Sequence, residues 1–144
     1  MNTYDLILRN GTIYDGSGGA GYQGDVAIQG DSIAALGDLG DARGTQEIDV
    51  SGLAVAPGFI NMLSWSNESL IEDGRSQSEI RQGVTLEVMG EGTSMGPLSE
   101  EMRAARTRGI LGNTRIQYEI EWNTLGEYLD WLEKRGVSTN IASF

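Results

Sequence analysis

The strongest constraint on how this 144-residue chain folds is a change of pattern at Pro57. Before it, short apolar runs are separated by glycine-rich turns, with no helical periodicity. After it, strands alternate with capped amphipathic segments. The first pattern suits an antiparallel β unit, whose hairpins need few linking residues. The second suits a parallel sheet, whose crossovers consume a helix's length of chain. A boundary between two kinds of β structure therefore belongs at residues 56–57, giving segments 1–56 and 57–144.

In the first segment the pattern predicts strands over Tyr4–Arg9, Thr12–Tyr14, Asp25–Gln29, Ser32–Leu36, Gln46–Val50 and Leu53–Ala56, with Asn10-Gly11 as a hairpin-type turn. In the second, strands are expected at Gly58–Leu63, Val84–Met89 and Val137–Phe144. Ser76 and Glu79 have capping-box spacing and open a short helix that ends at Gly83; Ser99-Glu100-Glu101 opens another that runs to about Gly109. Thr124 and Glu127 form a second capping box, followed by Leu125, Tyr128, Leu129 and Leu132 on one face down to Gly136. On that helix and just before it, Trp122, Tyr128 and Trp131 read as core rather than as a binding stripe. Three parallel strands with no fourth neighbour leave an apolar edge, so marginal stability or self-association is expected.

Composition excludes several functions. The formal net charge is −11, from 21 acidic and 10 basic residues, which repels nucleic-acid phosphates and anionic membranes. There is no Cys and no His, hence no disulfide, no thiolate metal site and no imidazole to activate Ser64 or Ser66. The start of the chain has no basic segment leading into an apolar run, and no stretch approaches the ~18 apolar residues of a membrane span, so a cytoplasmic location is the default expectation. Gly16 to Gly21 satisfies G-x-G-x-x-G, but the residues after it, Asp25-Val26-Ala27-Ile28, read as a strand where a dinucleotide site needs a helix. Gly90 to Gly96 is glycine-rich yet lacks the Lys-Ser/Thr pair of a P-loop.

Chemistry is expected at the end of the strand after Pro57. Period-two alternation puts Phe59, Asn61, Leu63 and Trp65 on one side and Ile60, Met62 and Ser64 on the other, and an i, i+2 pair on one side could share a metal ion. Here the sequence resembles the amidohydrolase superfamily, and within it the N-acyl-D-amino-acid deacylases. The resemblance rests on ordered stretches: YDLILRNGTIYDGSG, GDVAIQGDSIAALG, LAVAPGFIN, RQGVTLEVMGEG and RGVSTNIASF. It implies strands of a small β-sandwich over residues 1–56, then the first two to three strand-helix units of a (β/α)8 barrel over 57–144. Such a barrel takes ~250 residues, so the resemblance implies the N-terminal portion of a larger hydrolase.

The family's Asp-x-His-x-His motif falls on Asn61, Met62, Leu63, Ser64 and Trp65, so both imidazoles are replaced. The family's cysteine ligand after the second barrel strand falls near Gly90-Glu91-Gly92. Zinc is implied by the resemblance alone; Glu91 is the one candidate ligand here, set against its bland reading as a solvated turn residue. The candidate site lining is Leu63, Ser64, Trp65, Ser66 and Glu91, with no catalytic residue of this chain assigned. Glu87, on a side with Thr85 and Met89, needs a partner if buried, and Arg81 is the expected one.

Two functions follow from the resemblance. One is a metal-dependent hydrolase of carbon–nitrogen bonds other than peptide bonds, acting on N-acylated D-amino acids. The other is a catalytically dead barrel homologue that serves as a small-molecule binding or interaction module, favoured by the apolar pair Leu63 and Trp65. Expected partners are a small N-acylated compound and either a C-terminal remainder or a second copy, with neither nucleic acid nor membrane.

Overall fold

The computed structural model describes residues 3–107, 116 and 118–144. The chain forms two compact units that divide between Pro57 and Gly58.

The first unit is one five-stranded sheet: β1 (Thr3–Ile13), β2 (Tyr22–Gln29), β3 (Ser32–Gly37), β4 (Arg43–Asp49) and β5 (Ala54–Val55). Strand order is β3-β2-β1-β4, with β5 also on β1. The sheet is mixed rather than antiparallel throughout, because β1 pairs in parallel with β4 and β5. The expected hairpin at Asn10-Gly11 is also absent. β1 runs straight through it, and the pairing with β2 skips between Leu8 and Gly11 as a bulge.

Local bonds explain the bulge. Asn10 has φ 64°, its backbone N–H donates to Asp25 at 2.9 Å, and its side-chain amide donates to Asp49 at 3.1 Å. Gly11 admits the close approach of β5, since a Cβ there would stand 2.7 Å from Val55 Cγ2. Arg9 joins the flanking strands by reaching Asp25 and Glu47, each at 2.8 Å. The buried apolar residues are Ile7, Ile13, Val26 and Ala27. The loop with the G-x-G-x-x-G pattern leads into β2, a strand.

The second unit has mixed β/α architecture: β6 (Phe59–Ser64), α1 (Ser69–Glu72), α2 (Gln77–Ile80), β7 (Val84–Met89), α3 (Glu100–Thr107), α4 (Leu125–Arg135) and β8 (Asn140–Ser143). Its strands lie in the order β6-β7-β8, all parallel, and resemble part of the wall of a (β/α)8 barrel. β8 is shorter than the expected strand over 137–144, and the expected end of α3 near Gly109 lies outside the described residues.

Helices cover one face of this sheet around Leu70, Ile71, Met89, Met95, Trp122, Tyr128 and Leu132. Trp122 sits 5.1 Å, centroid to centroid, from both Tyr128 and Trp131, so these aromatics are core as expected. Their polar tips are satisfied: Trp122 Nε1 donates to the Met95 carbonyl at 2.8 Å and the Tyr128 hydroxyl to the Asn67 carbonyl at 2.6 Å. The Thr124 and Glu127 capping box forms at the head of α4. The one expected at Ser76 does not, because Ser76 adopts φ 43° and its hydroxyl turns elsewhere. No described helix is long and apolar enough to cross a membrane.

Candidate functional site

The candidate residues cluster where β6 and β7 end. The β6–β7 pairing sets Asn61 opposite Glu87 and Ser64 opposite Met89, with a register break between. Asn61 and Ser64, three residues apart, therefore both reach the helix side: Asn61 Nδ2 donates to Glu79 at 3.4 Å and Ser64 Oγ to Glu87 at 2.6 Å. This corrects the alternation expected for the strand. Asn61 leaves the side assigned to it with Leu63 because its Oδ1 accepts the Leu63 N–H at 3.1 Å, which turns the backbone locally.

Glu87 is fully buried, and its partner is not Arg81. Arg81 instead donates from Nε to Gln77 at 2.8 Å on its own short helix. Glu87 accepts three hydroxyls: Ser64 on Oε2 at 2.6 Å, and Ser76 and Thr139 on Oε1 at 2.7 and 2.9 Å. Burial pushes this carboxyl up, but the combined hydroxyl bonds, with Ser66 also contributing, hold it below the usual range and therefore ionised. Ser64 spends its only proton on Glu87, and the Ser66 hydroxyl lies 2.8 Å from Ser64 Oγ. Ser76 and Thr139 escape the sequence reading because they lie 11 and 52 residues from Glu87. The one available signal is a carboxylate in mid-strand with no cation at a neighbouring strand position.

Either side of Ser64, the exposed residues face away from this buried cluster: Leu63 is 55% and Trp65 70% exposed. The Trp65 ring lies on the loop after β7, where a Cβ at Gly92 would stand 2.5 Å from Cη2. Asn67 Nδ2 fastens the same loop by donating to the Thr93 carbonyl at 2.7 Å. Glu91 is on this loop, exposed, next to Gly90 at φ 97°. The structure thus brings Trp65 against the loop that carries Glu91, and buries Ser64 on the opposite side from Leu63.

These residues do not fit zinc. Leu63 has no donor atom, the indole nitrogen of Trp65 carries a hydrogen, and the neutral hydroxyls of Ser64 and Ser66 are not usual zinc ligands, which leaves the exposed carboxylate of Glu91 alone. Among the described residues no three His, Cys, Asp or Glu side chains come close enough to hold a metal ion. What the strand ends offer is an apolar and aromatic surface backed by a buried, fully bonded carboxylate.

No protein-family model matches the chain. It is 44% identical over 140 residues to a D-aminoacylase of Alcaligenes xylosoxydans xylosoxydans, a match that covers 96% of this chain and 28% of that one. Among solved structures, it aligns with a D-aminoacylase described as defining a subset of amidohydrolases at TM-score 0.77 and 31% identity, covering 98% of this chain and 29% of the other. It aligns at TM-score 0.81 and 26% identity with the N-acyl-D-glutamate deacylase of Bordetella bronchiseptica, solved with zinc and a phosphonate inhibitor, again over 99% of this chain and 29% of the other. The chain thus spans a little over a quarter of the length of these relatives.

Proposed function

This chain has its place in the amidohydrolase superfamily, where it resembles the D-aminoacylases over part of their length, and on that premise we propose that it is a barrel homologue whose strand ends hold an organic ligand in place of a metal ion. The observation that carries the reading is the pair Leu63 and Trp65, exposed at the end of the first strand of the parallel sheet. That end is where barrel folds place their sites. An apolar side chain and an indole suit an acyl group or aliphatic side chain, so the ligand class is a small N-acylated amino acid.

A second reading is favoured by the 44% identity to a D-aminoacylase: the chain belongs to an enzyme that hydrolyses carbon–nitrogen bonds of N-acyl-D-amino acids, with the metal and the proton-transferring groups held by residues outside this chain. Two measurements separate the readings. Equilibrium dialysis against zinc should leave well under one ion per chain, and isothermal titration with N-acetyl-D-leucine should show saturable binding that Trp65→Ala weakens several-fold, without acetate release. No saturable binding by this chain, together with one zinc and acetate release in the larger enzyme that the second reading requires, would replace the first reading by the second.

A further inference from the structure

We propose that Glu87 is the positioning residue of the strand-end surface, fixing through Ser64 the direction in which Leu63 and Trp65 are presented to a ligand; this rests on the ligand-binding reading above. One carboxylate gathers four segments of the second unit. It stands on β7 and takes hydroxyls from the end of β6 (Ser64), the residue before α2 (Ser76) and the residue before β8 (Thr139), at 2.6, 2.7 and 2.9 Å. An ionised carboxylate is acceptor-only, and hydroxyl bonds to it are short and directional, so each serine is held in one rotamer.

Ser64 is the central residue of Leu63-Ser64-Trp65, and its burial contrasts with the exposure of both neighbours. Packing holds those neighbours only in part, because each residue is more than half exposed, with the Trp65 ring resting on Gly92. The bond beneath them supplies the rest. With Ser64 tied to Glu87, Leu63 and Trp65 are directed outward, and the Trp65 ring is laid against Gly92. A metal ion gathers chain segments by ligating side chains from each. Here a buried carboxylate gathers hydroxyls from those segments, and the exposed positions are left apolar.

The test uses the full 144-residue chain and N-acetyl-D-leucine as probe, followed through the indole N–H resonance of Trp65, which the Trp65→Ala spectrum assigns. Wild type should shift saturably. Glu87→Gln turns an amide N–H₂ toward hydroxyl donors and should weaken binding about tenfold, the loss of one well-made hydrogen-bonded contact, while moving the Trp65 resonance in the free protein. Ser64→Ala, which leaves Glu87 its other two hydroxyls, should do the same and decides the question if Glu87→Gln does not fold. Ile71→Val, a core change at a side chain that makes no bond to Glu87 or its hydroxyl partners, should lower stability yet keep affinity within about twofold of wild type, the range of an additive change.

Affinity in Glu87→Gln or in folded Ser64→Ala within twofold of wild type overturns the positioning role. An equal loss in Ile71→Val overturns it too, by reducing Glu87 to general stability. Absence of any shift in wild type overturns the ligand-binding reading itself.

Discussion

Glu87 is ionised where burial alone would neutralise it, and this gives the protein a pH signature. Its folded pKa is depressed: burial raises it, but the bonds from Ser64, Ser66, Ser76 and Thr139 together outweigh that. A depressed carboxylate contributes stability that is fully present above its unfolded pKa of about 4.3 and is lost as pH falls through the lower folded value. The gap in urea-unfolding stability between wild type and Glu87→Gln should therefore be largest at pH 6 to 7 and shrink steadily below pH 4. A gap that widens on acidification would mean that Glu87 is buried in its neutral form. The sequence shows that a mid-strand carboxylate needs a partner, but charge pairing points to Arg81, and the actual partners are hydroxyls that only the fold brings together. Trp65 and Leu63 are readable as a candidate surface because they occupy motif positions, whereas the contact of the indole with Gly92 depends on a loop path that no spacing rule encodes.

Two capping boxes with the same spacing came out differently in the helices, and the difference is physical. Thr124 has extended backbone, its hydroxyl accepts the Glu127 N–H at 3.2 Å, and its own N–H donates to the Glu127 carboxylate at 2.9 Å. Ser76 has the same sequence grammar, but its hydroxyl has a stronger acceptor within reach, the buried Glu87 carboxylate at 2.7 Å, and the helix N-terminus goes uncapped. A tertiary bond to a charge outbids a local bond to an amide. Thr124→Ala should accordingly cost about 1 kcal/mol, the usual loss of a cap. Ser76→Ala should cost more, about 1.5–3 kcal/mol, the range for a hydrogen bond to a charged group. Guanidinium unfolding of both variants checks the order, and a smaller loss at Ser76 would show that the Glu87 bond adds nothing beyond a cap. The same logic explains β1. Asn10-Gly11 carries the composition of a hairpin turn, yet Asp25 and Asp49 from two neighbouring strands capture Asn10 and keep the strand continuous. Periodicity locates strands and the helix α4 well, since it reports burial; it does not report which strand becomes the neighbour, and so the parallel pairing of β1 with β4 was not readable.

The order of strands and helices after Pro57 is the most readable property of the molecule, because helical crossovers force parallel pairing of β6, β7 and β8. Its consequence for association is less visible from sequence, since it depends on which strand lies at an edge. Among the described residues β6 pairs on one side only, and it carries no charged residue and no proline along Phe59-Ile60-Asn61-Met62-Leu63-Ser64. Phe59, Ile60, Met62, Leu63 and Trp65 are all more than half exposed. Edges of this kind template pairing with another chain unless charge or bulges blunt them. The net charge of −11 opposes such contact between copies, and its reach shrinks from a Debye length of about 30 Å at 0.01 M salt to about 8 Å at 0.15 M. The short-ranged apolar attraction is not screened, so the balance should tip with ionic strength. Sedimentation velocity of the chain should show mainly monomer at low salt and dimer or larger species at physiological salt. Met62→Lys, which puts an ammonium on the open edge, should shift the distribution back toward monomer. Association that weakens as salt is added would assign it to opposite charges instead of the β6 edge, and a monomer at every salt concentration would show that this edge is protected despite its exposure.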